Sequence, residues 1–510
     1  MHFQFCQVSP FNLNILNKPI VMKRALRSLN QTRCFLVAAL GVSALATPMV
    51  HAQTAEEFKQ LKTQSEQMKQ TIDAQNARIT ELEKAKAPMP GLTAETSPSV
   101  KTVEKVAAGE QVGQKSPVTF RDALNDQQEA ASRPKDFTLD PKYRGFIPIP
   151  NTPALIKFNA KPHVDMITDN RNAGNQNRFV PAVFPLEGAP SHGGGRQFHM
   201  NANATQLRLD VRAPEMAGNF RFYYQNDFFG SGSDTGDMKY RVQHIYGQLY
   251  GFKAGFTYGV WEDPDSWPDT VDYEGPNAVI FSRRPVAQYT HAWSDNWNTT
   301  FGVEEPDIFA DVNTGGNTNA NQITRMPDLG FNTRYEKEGF GHLQFSTLFR
   351  NLGVEDDTGE DHNVFGWGVN FSAGIDLTKR DSLQFLAVYG EGVGGQGNDA
   401  GFLNSDVAFD ATGDLEALPY WSLMGGLTHR WNETLRSTVT YGYVKLDPTS
   451  GQAATFYETS HYASANVIWQ LRKRLSVGFE ALYGIMEAQN GVDSGDHWRI
   501  QVGMVYSLFD

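Results

Sequence analysis

Between Phe365 and Tyr389 the chain reads FGWGVNFSAGIDLTKRDSLQFLAVY. Phe365, Trp367, Val369, Phe371, Ala373, Ile375 and Leu377 form one row; Gly366, Gly368, Asn370, Ser372, Gly374 and Asp376 form the other. After a Thr-Lys-Arg-Asp turn the alternation resumes through Leu383, Phe385, Ala387 and Tyr389. A two-residue period predicts a β-hairpin. One of its faces is broad and apolar, and the chain must cover it with something.

Segments of this kind recur about sixteen times between Leu155 and Phe509, and the gaps between them alternate in length. The long ones are 169–202, 230–238, 262–278, 305–324, 353–362, 395–418, 447–457 and 489–495. Between these the connections are tight, as at 214–217, Gly251, 294–296, 337–338, 379–380, 432–433 and Lys473. Long loops at one end and short turns at the other predict an antiparallel up-and-down β-barrel of the transmembrane kind, residues 155–510. The apolar rows then face lipid, and closure satisfies every backbone group in hydrocarbon. In the last segment Trp498, Ile500, Val502, Met504, Tyr506 and Leu508 form the outward row.

The N-terminus predicts export. From Met22, the expected true start, Lys23, Arg24, Arg27 and Arg33 give a basic region, Cys34 to Ala46 an apolar run, and Val50-His51-Ala52 a small-residue cleavage site. This is the pattern of a signal peptide over residues 1–52. Its removal takes five basic residues, no acid and both cysteines, Cys6 and Cys34, shifting the formal charge from −12 to −17. So acidic a chain argues against nucleic acid as a partner. Over residues 53–87, Phe58, Ser65, Ile72 and Ile79 alternate with Leu61, Met68, Gln75 and Leu82 at coiled-coil spacing. Ile and Leu at these positions lean towards two strands. Residues 88–154 read as a polar tether.

A barrel of about sixteen strands leaves an aqueous channel, so the inward rows set selectivity. The first strand turns Lys157 and Lys161 inward, the second Arg208 and Arg212, the third Arg221 and the fourth Arg241. The connection after the fifth strand, VWEDPDSWPDTVDYEGPNA, carries Glu262, Asp263, Asp265, Asp269, Asp272 and Glu274 and no base. Were that loop to lie across the channel, opposed rows of charge in a narrow, poorly screened space would orient dipolar or anionic solutes and select among them. The competing expectations are that the acids solvate an outer loop, and that the cations form bridges with Asp165 and Asp210.

The domain order and the entry GFIPIPNTPALIK (Gly145 to Lys157) resemble the DcaP-like porins of Gram-negative outer membranes. That resemblance implies a homotrimer embedded in outer-membrane lipid and lipopolysaccharide, with a periplasmic coiled coil. It also implies diffusion of small anions, dicarboxylates included, and places the acidic loop at the constriction. This chain departs from the outer-membrane C-terminal signature by ending in Asp510, and Pro162 interrupts its first strand.

No nucleophile elbow, phosphate-binding loop or zinc-protease motif occurs. Gly394 to Asp399 matches one unit of a calcium-binding repeat, without the tandem copies such a fold requires. No catalysis, metal or cofactor is expected. The alternatives to a porin are a barrel-anchored periplasmic tether and an outer-membrane hydrolase.

Overall fold

The computed structural model describes residues 143–508, except 144, 150, 215–217, 233–236 and 319. The expected signal peptide, the coiled coil and the tether up to residue 142 lie outside the described residues.

Nearly everything described is antiparallel sheet. A twenty-stranded sheet dominates; two of its strands are broken into halves and two are short appendages, leaving sixteen staves. They are β1 (Leu155–Lys161 with His163–Asp169), β2 (Gln197–Asn201 with Gln206–Ala213), β3 (Phe220–Asp227) and β4 (Arg241–Leu249). Next come β5 (Phe252–Tyr258), β6 (Arg283–Ser294), β7 (Trp297–Glu304) and β8 (Asp328–Lys337). The longest follow: β9 (Gly341–Glu355), β10 (Asp361–Asp376), β11 (Asp381–Glu391) and β12 (Pro419–Arg430). The last are β13 (Leu435–Leu446), β14 (Tyr457–Arg472), β15 (Leu475–Ala488) and β16 (Ser494–Tyr506).

Each stave pairs with its neighbours in chain order, and β16 also pairs with β1, from Arg499 opposite Asp169 to Val505 opposite His163. The break in β1 falls at Pro162, which has no N–H for the ladder; its carbonyl still accepts from Tyr506 N–H. Among the described residues no helix is long and apolar enough to cross a membrane.

The two rows predicted from the sequence face opposite ways. Phe345 and Phe371, cross-strand partners on β9 and β10, are 43 % and 44 % exposed. The next pair along, Ser346 and Asn370, is fully buried. The inversion holds around the sheet: the large apolar side chains Phe158, Leu207, Phe301, Leu427, Val439, Val467 and Phe479 are exposed. Arg208, Arg334, Arg436, Glu480 and Arg499 are buried on the other side. An apolar outer surface of this extent calls for a non-aqueous neighbour.

What buries the polar face is the chain's own long loops. The β5–β6 loop (residues 259–282) packs Trp261, Trp267, Val279 and Ile280 against Leu348, Leu386, Tyr420, Met424 and Val444 of the inner wall. Phe179 and Phe184, from the β1–β2 loop, pack on Tyr462 and Leu482. Residues of the β11–β12 loop join a small three-stranded sheet, Val407–Phe409 lying parallel to Ala310–Asp311 and antiparallel to Leu415–Ala417.

Candidate channel site

The β5–β6 loop leaves β5 at Gly259 and crosses the inner face of the sheet. Near its root Val260 N–H donates to Glu304 at the end of β7, and its carbonyl accepts from Asn332 on β8. Asn370 on β10 donates to the Trp261 carbonyl at 2.9 Å. Further along, Asn466 on β14 donates to the Asp269 carbonyl at 2.7 Å. Val271 and Asp272 N–H both donate to Glu480 on β15, at 2.8 and 2.6 Å.

The wall makes room for this crossing with small residues. A Cβ on Gly368 would stand 2.7 Å from Trp261, one on Gly426 2.5 Å from Pro268, and one on Gly503 2.7 Å from Val271. The small row in the FGWGVNFSAG segment is thus the imprint of the loop. Gly368 seats Trp261, Asn370 binds its carbonyl, and Ser372 Oγ donates to Asp263 at 2.6 Å.

The loop's acids are anchored to that same wall. Asp263 accepts from Arg334 Nη1 at 3.0 Å and meets His342 Nε2 at 2.8 Å; Asp265 accepts from Arg334 Nη2 at 2.7 Å. Arg436 on β13 pairs with Asp269. Burial works to raise the Asp263 carboxyl, but His342 and Arg334 outweigh it and hold it well below the usual carboxylate range. Glu262 has the opposite balance: burial, then the Glu304 carboxylate beside it, push it up to about 8. Asp272 is raised well above the ordinary value by burial and by Glu480, against the pull of Arg499.

The six cations predicted from sequence sit on the facing wall, β1–β4. Arg212 and Arg221 share a single carboxylate, Asp210, at 2.8 and 3.0 Å. Arg241 Nε donates to Asp227 at 2.9 Å. Arg208 is buried and donates to the Gln206 side-chain carbonyl at 2.7 Å. Lys161 is buried and Lys157 half-buried, its Nζ 5.9 Å from the Phe146 ring.

Between this wall and the loop lies a solvent-connected opening. Lys161, Gln206, Gln225 and Gln243 line its wall side, and Trp267, Val271 and Phe281 its loop side. Tyr273 bridges the two: its hydroxyl donates to Asp227 at 3.1 Å and accepts from Gln206 at 3.0 Å, while its ring stacks on Phe229.

The expected confrontation of acidic loop and basic β1–β4 wall therefore takes another form. Asp263, Asp265 and Asp269 turn towards β8–β13, where Arg334, His342 and Arg436 stand close enough to bind them. Asp272 and Glu274 line the opening instead, with Arg178 of the β1–β2 loop 3.9 Å from Glu274. The sequence reading missed the three anchoring bases. The signal available was their place in the small inward rows of β8, β9 and β13, outside the N-terminal strands where cations concentrate.

The profile of the DcaP outer membrane protein family matches residues 124–507. The chain belongs to the DcaP family. Its structure resembles the outer membrane channel DcaP of Acinetobacter baumannii, with a TM-score of 0.59 at 20 % identity, over 70 % of this chain and 97 % of that one. An anion-selective porin from Comamonas acidovorans aligns over 70 % of this chain and 100 % of its own, at 10 % identity and a TM-score of 0.43. OmpT of Vibrio cholerae, in a trimer form, covers 69 % and 99 % at 9 % identity and 0.39. No curated protein matches. Family membership makes this an outer-membrane protein, and its fold is the one seen in the DcaP channel.

Proposed function

We propose that the protein is a porin through which small solutes diffuse passively, with a preference for anions, dicarboxylates included. The observation that carries the preference is the sharing of Asp210 by Arg212 and Arg221. The shared carboxylate gathers two guanidinium groups at one station of the inner wall, where poor screening extends their reach. Lys161 adds a cation in the opening itself. The β5–β6 loop supplies the constriction, and its acids act mainly as anchors to the far wall.

On this reading β1–β16 form a closed barrel spanning the outer membrane, with the exposed apolar row against lipid and lipopolysaccharide. Three copies assemble, each carrying a periplasmic coiled coil over residues 53–87 and a tether to residue 154, after loss of a signal peptide over 1–52. The test is solute flux into liposomes holding the purified protein. A small dicarboxylate should enter faster than a neutral sugar of equal size; equal rates would remove the anion preference.

A further inference from the structure

The entry segment before β1 takes no part in the channel described so far, yet it is built to a definite shape. Ile147 and Pro148 pair with Ile156 and Leu155. The hairpin is closed by Ile149 N–H donating to the Ala154 carbonyl at 2.9 Å, with Asn151 in the left-handed region at φ 62°. Thr152 tightens it: its hydroxyl donates to the Ile149 carbonyl at 2.9 Å and accepts from Ala154 N–H at 3.2 Å. Further along β1, Leu508 N–H donates to the Ala160 carbonyl and Tyr506 N–H to that of Pro162. Hairpin and C-terminus thus divide one edge of β1 between them.

This hairpin delivers one side chain to the inner face. Ile147 is 67 % exposed, on the outer side. Phe146, the residue before it, is half-buried, with the Arg212 guanidinium 5.0 Å from its ring centroid and Lys157 Nζ at 5.9 Å. Both cations belong to the inward row, Lys157 lying opposite Asp210 in the ladder. Arg212 lies two residues before Pro214, at the short-turn end of its strand. Arg212 is therefore held by Asp210 on one side and by an aromatic face on the other.

We infer that Phe146 is a specificity-determining residue of the channel, an aromatic shield that occupies the two cations at the short-turn rim. The ring's negative face meets Arg212 and Lys157 where an anion otherwise would, so a passing anion competes with it. The rim station is then weaker than its basic residues alone would make it, which favours release over retention. This inference rests on the anion-channel reading.

The experiment compares wild type, Phe146→Ala, Phe146→Leu and Phe146→Tyr in planar bilayers by reversal potential under a salt gradient. Phe146→Ala and Phe146→Leu should raise the anion-over-cation permeability ratio roughly two- to five-fold, and Phe146→Tyr should keep the wild-type ratio. Leu keeps the apolar bulk without the aromatic face, so a purely structural role would leave its ratio unchanged. An anion-preferring wild type with unchanged Ala and Leu variants overturns the shield and leaves the channel standing. A wild type that prefers cations or does not conduct overturns both.

Discussion

Asp263, on the loop between β5 and β6, and Arg334, on β8, meet at 3.0 Å with the carboxylate fully buried. This pair ties the loop to the side of the sheet away from the basic wall, while Tyr273 ties it to that wall. The loop's position depends on charges carried by β8, away from the basic β1–β4 wall.

Arg334→Gln leaves Asp263 and Asp265 without their guanidinium partner. Breaking a buried pair from one side costs about 3–5 kcal/mol. The expected result is a lower unfolding midpoint in detergent, with noisier and larger single-channel steps as the loop loosens. Adding Asp263→Asn should recover part of the loss, since the two residues act as one unit.

Glu262 gives the anchoring a pH dependence. Its folded carboxyl, raised to about 8, lies above the ordinary value of 4.5. Between those values the native state keeps a proton that the unfolded chain has lost, so stability falls as pH rises and the loss is complete above about 8. Asp263 works in the other direction: held below the ordinary 3.8, it contributes stability above that value and loses it as pH falls further. Unfolding midpoints at pH 5 to 8 should decline less steeply in Glu262→Gln than in wild type. An unchanged slope would take Glu262 out of the explanation.

Gly368→Val places a side chain where Trp261 now sits, 2.7 Å from the position its Cβ would take. Overpacking of this kind costs about 1–3 kcal/mol. Gly425 on β12 has no atom within 4 Å of such a Cβ, so Gly425→Val should stay within about 0.5 kcal/mol of wild type. Equal effects of the two substitutions on the unfolding midpoint would mean that the loop does not bear on β10.

Arg212→Gln with Arg221→Gln removes both guanidinium groups from Asp210 and leaves a lone carboxylate on the inner wall. Anion preference should be lost and could not survive at the wild-type ratio if the shared carboxylate carries it. Reversal potentials of the double variant under a salt gradient make the check.

The sheet was legible because its signal is local. Phe345 and Ser346, or Phe371 and Asn370, declare their faces by alternation alone, and the two connection lengths order the strands. Three features gave the sequence reading less purchase. The partners of Asp263 and Asp269 are 71 and 167 residues away along the chain, at Arg334 and Arg436, and no local pattern links them. The small residues at Gly368, Asn370 and Ser372 were visible as a row, but their purpose appears only when Trp261 and Asp263 are seen lying on them. Phe146 was part of a recognised entry segment, while its contact with Arg212 needed the hairpin fold.

The most direct test of the account is the reversal potential of the purified wild-type protein in a planar bilayer under a salt gradient. An anion-selective reversal is predicted, because Arg212 and Arg221 share one carboxylate while the loop acids Asp263, Asp265 and Asp269 are bound to the far wall. A cation-selective reversal would mean that Asp272 and Glu274 in the opening govern passage, and the absence of conductance would contradict an open channel altogether.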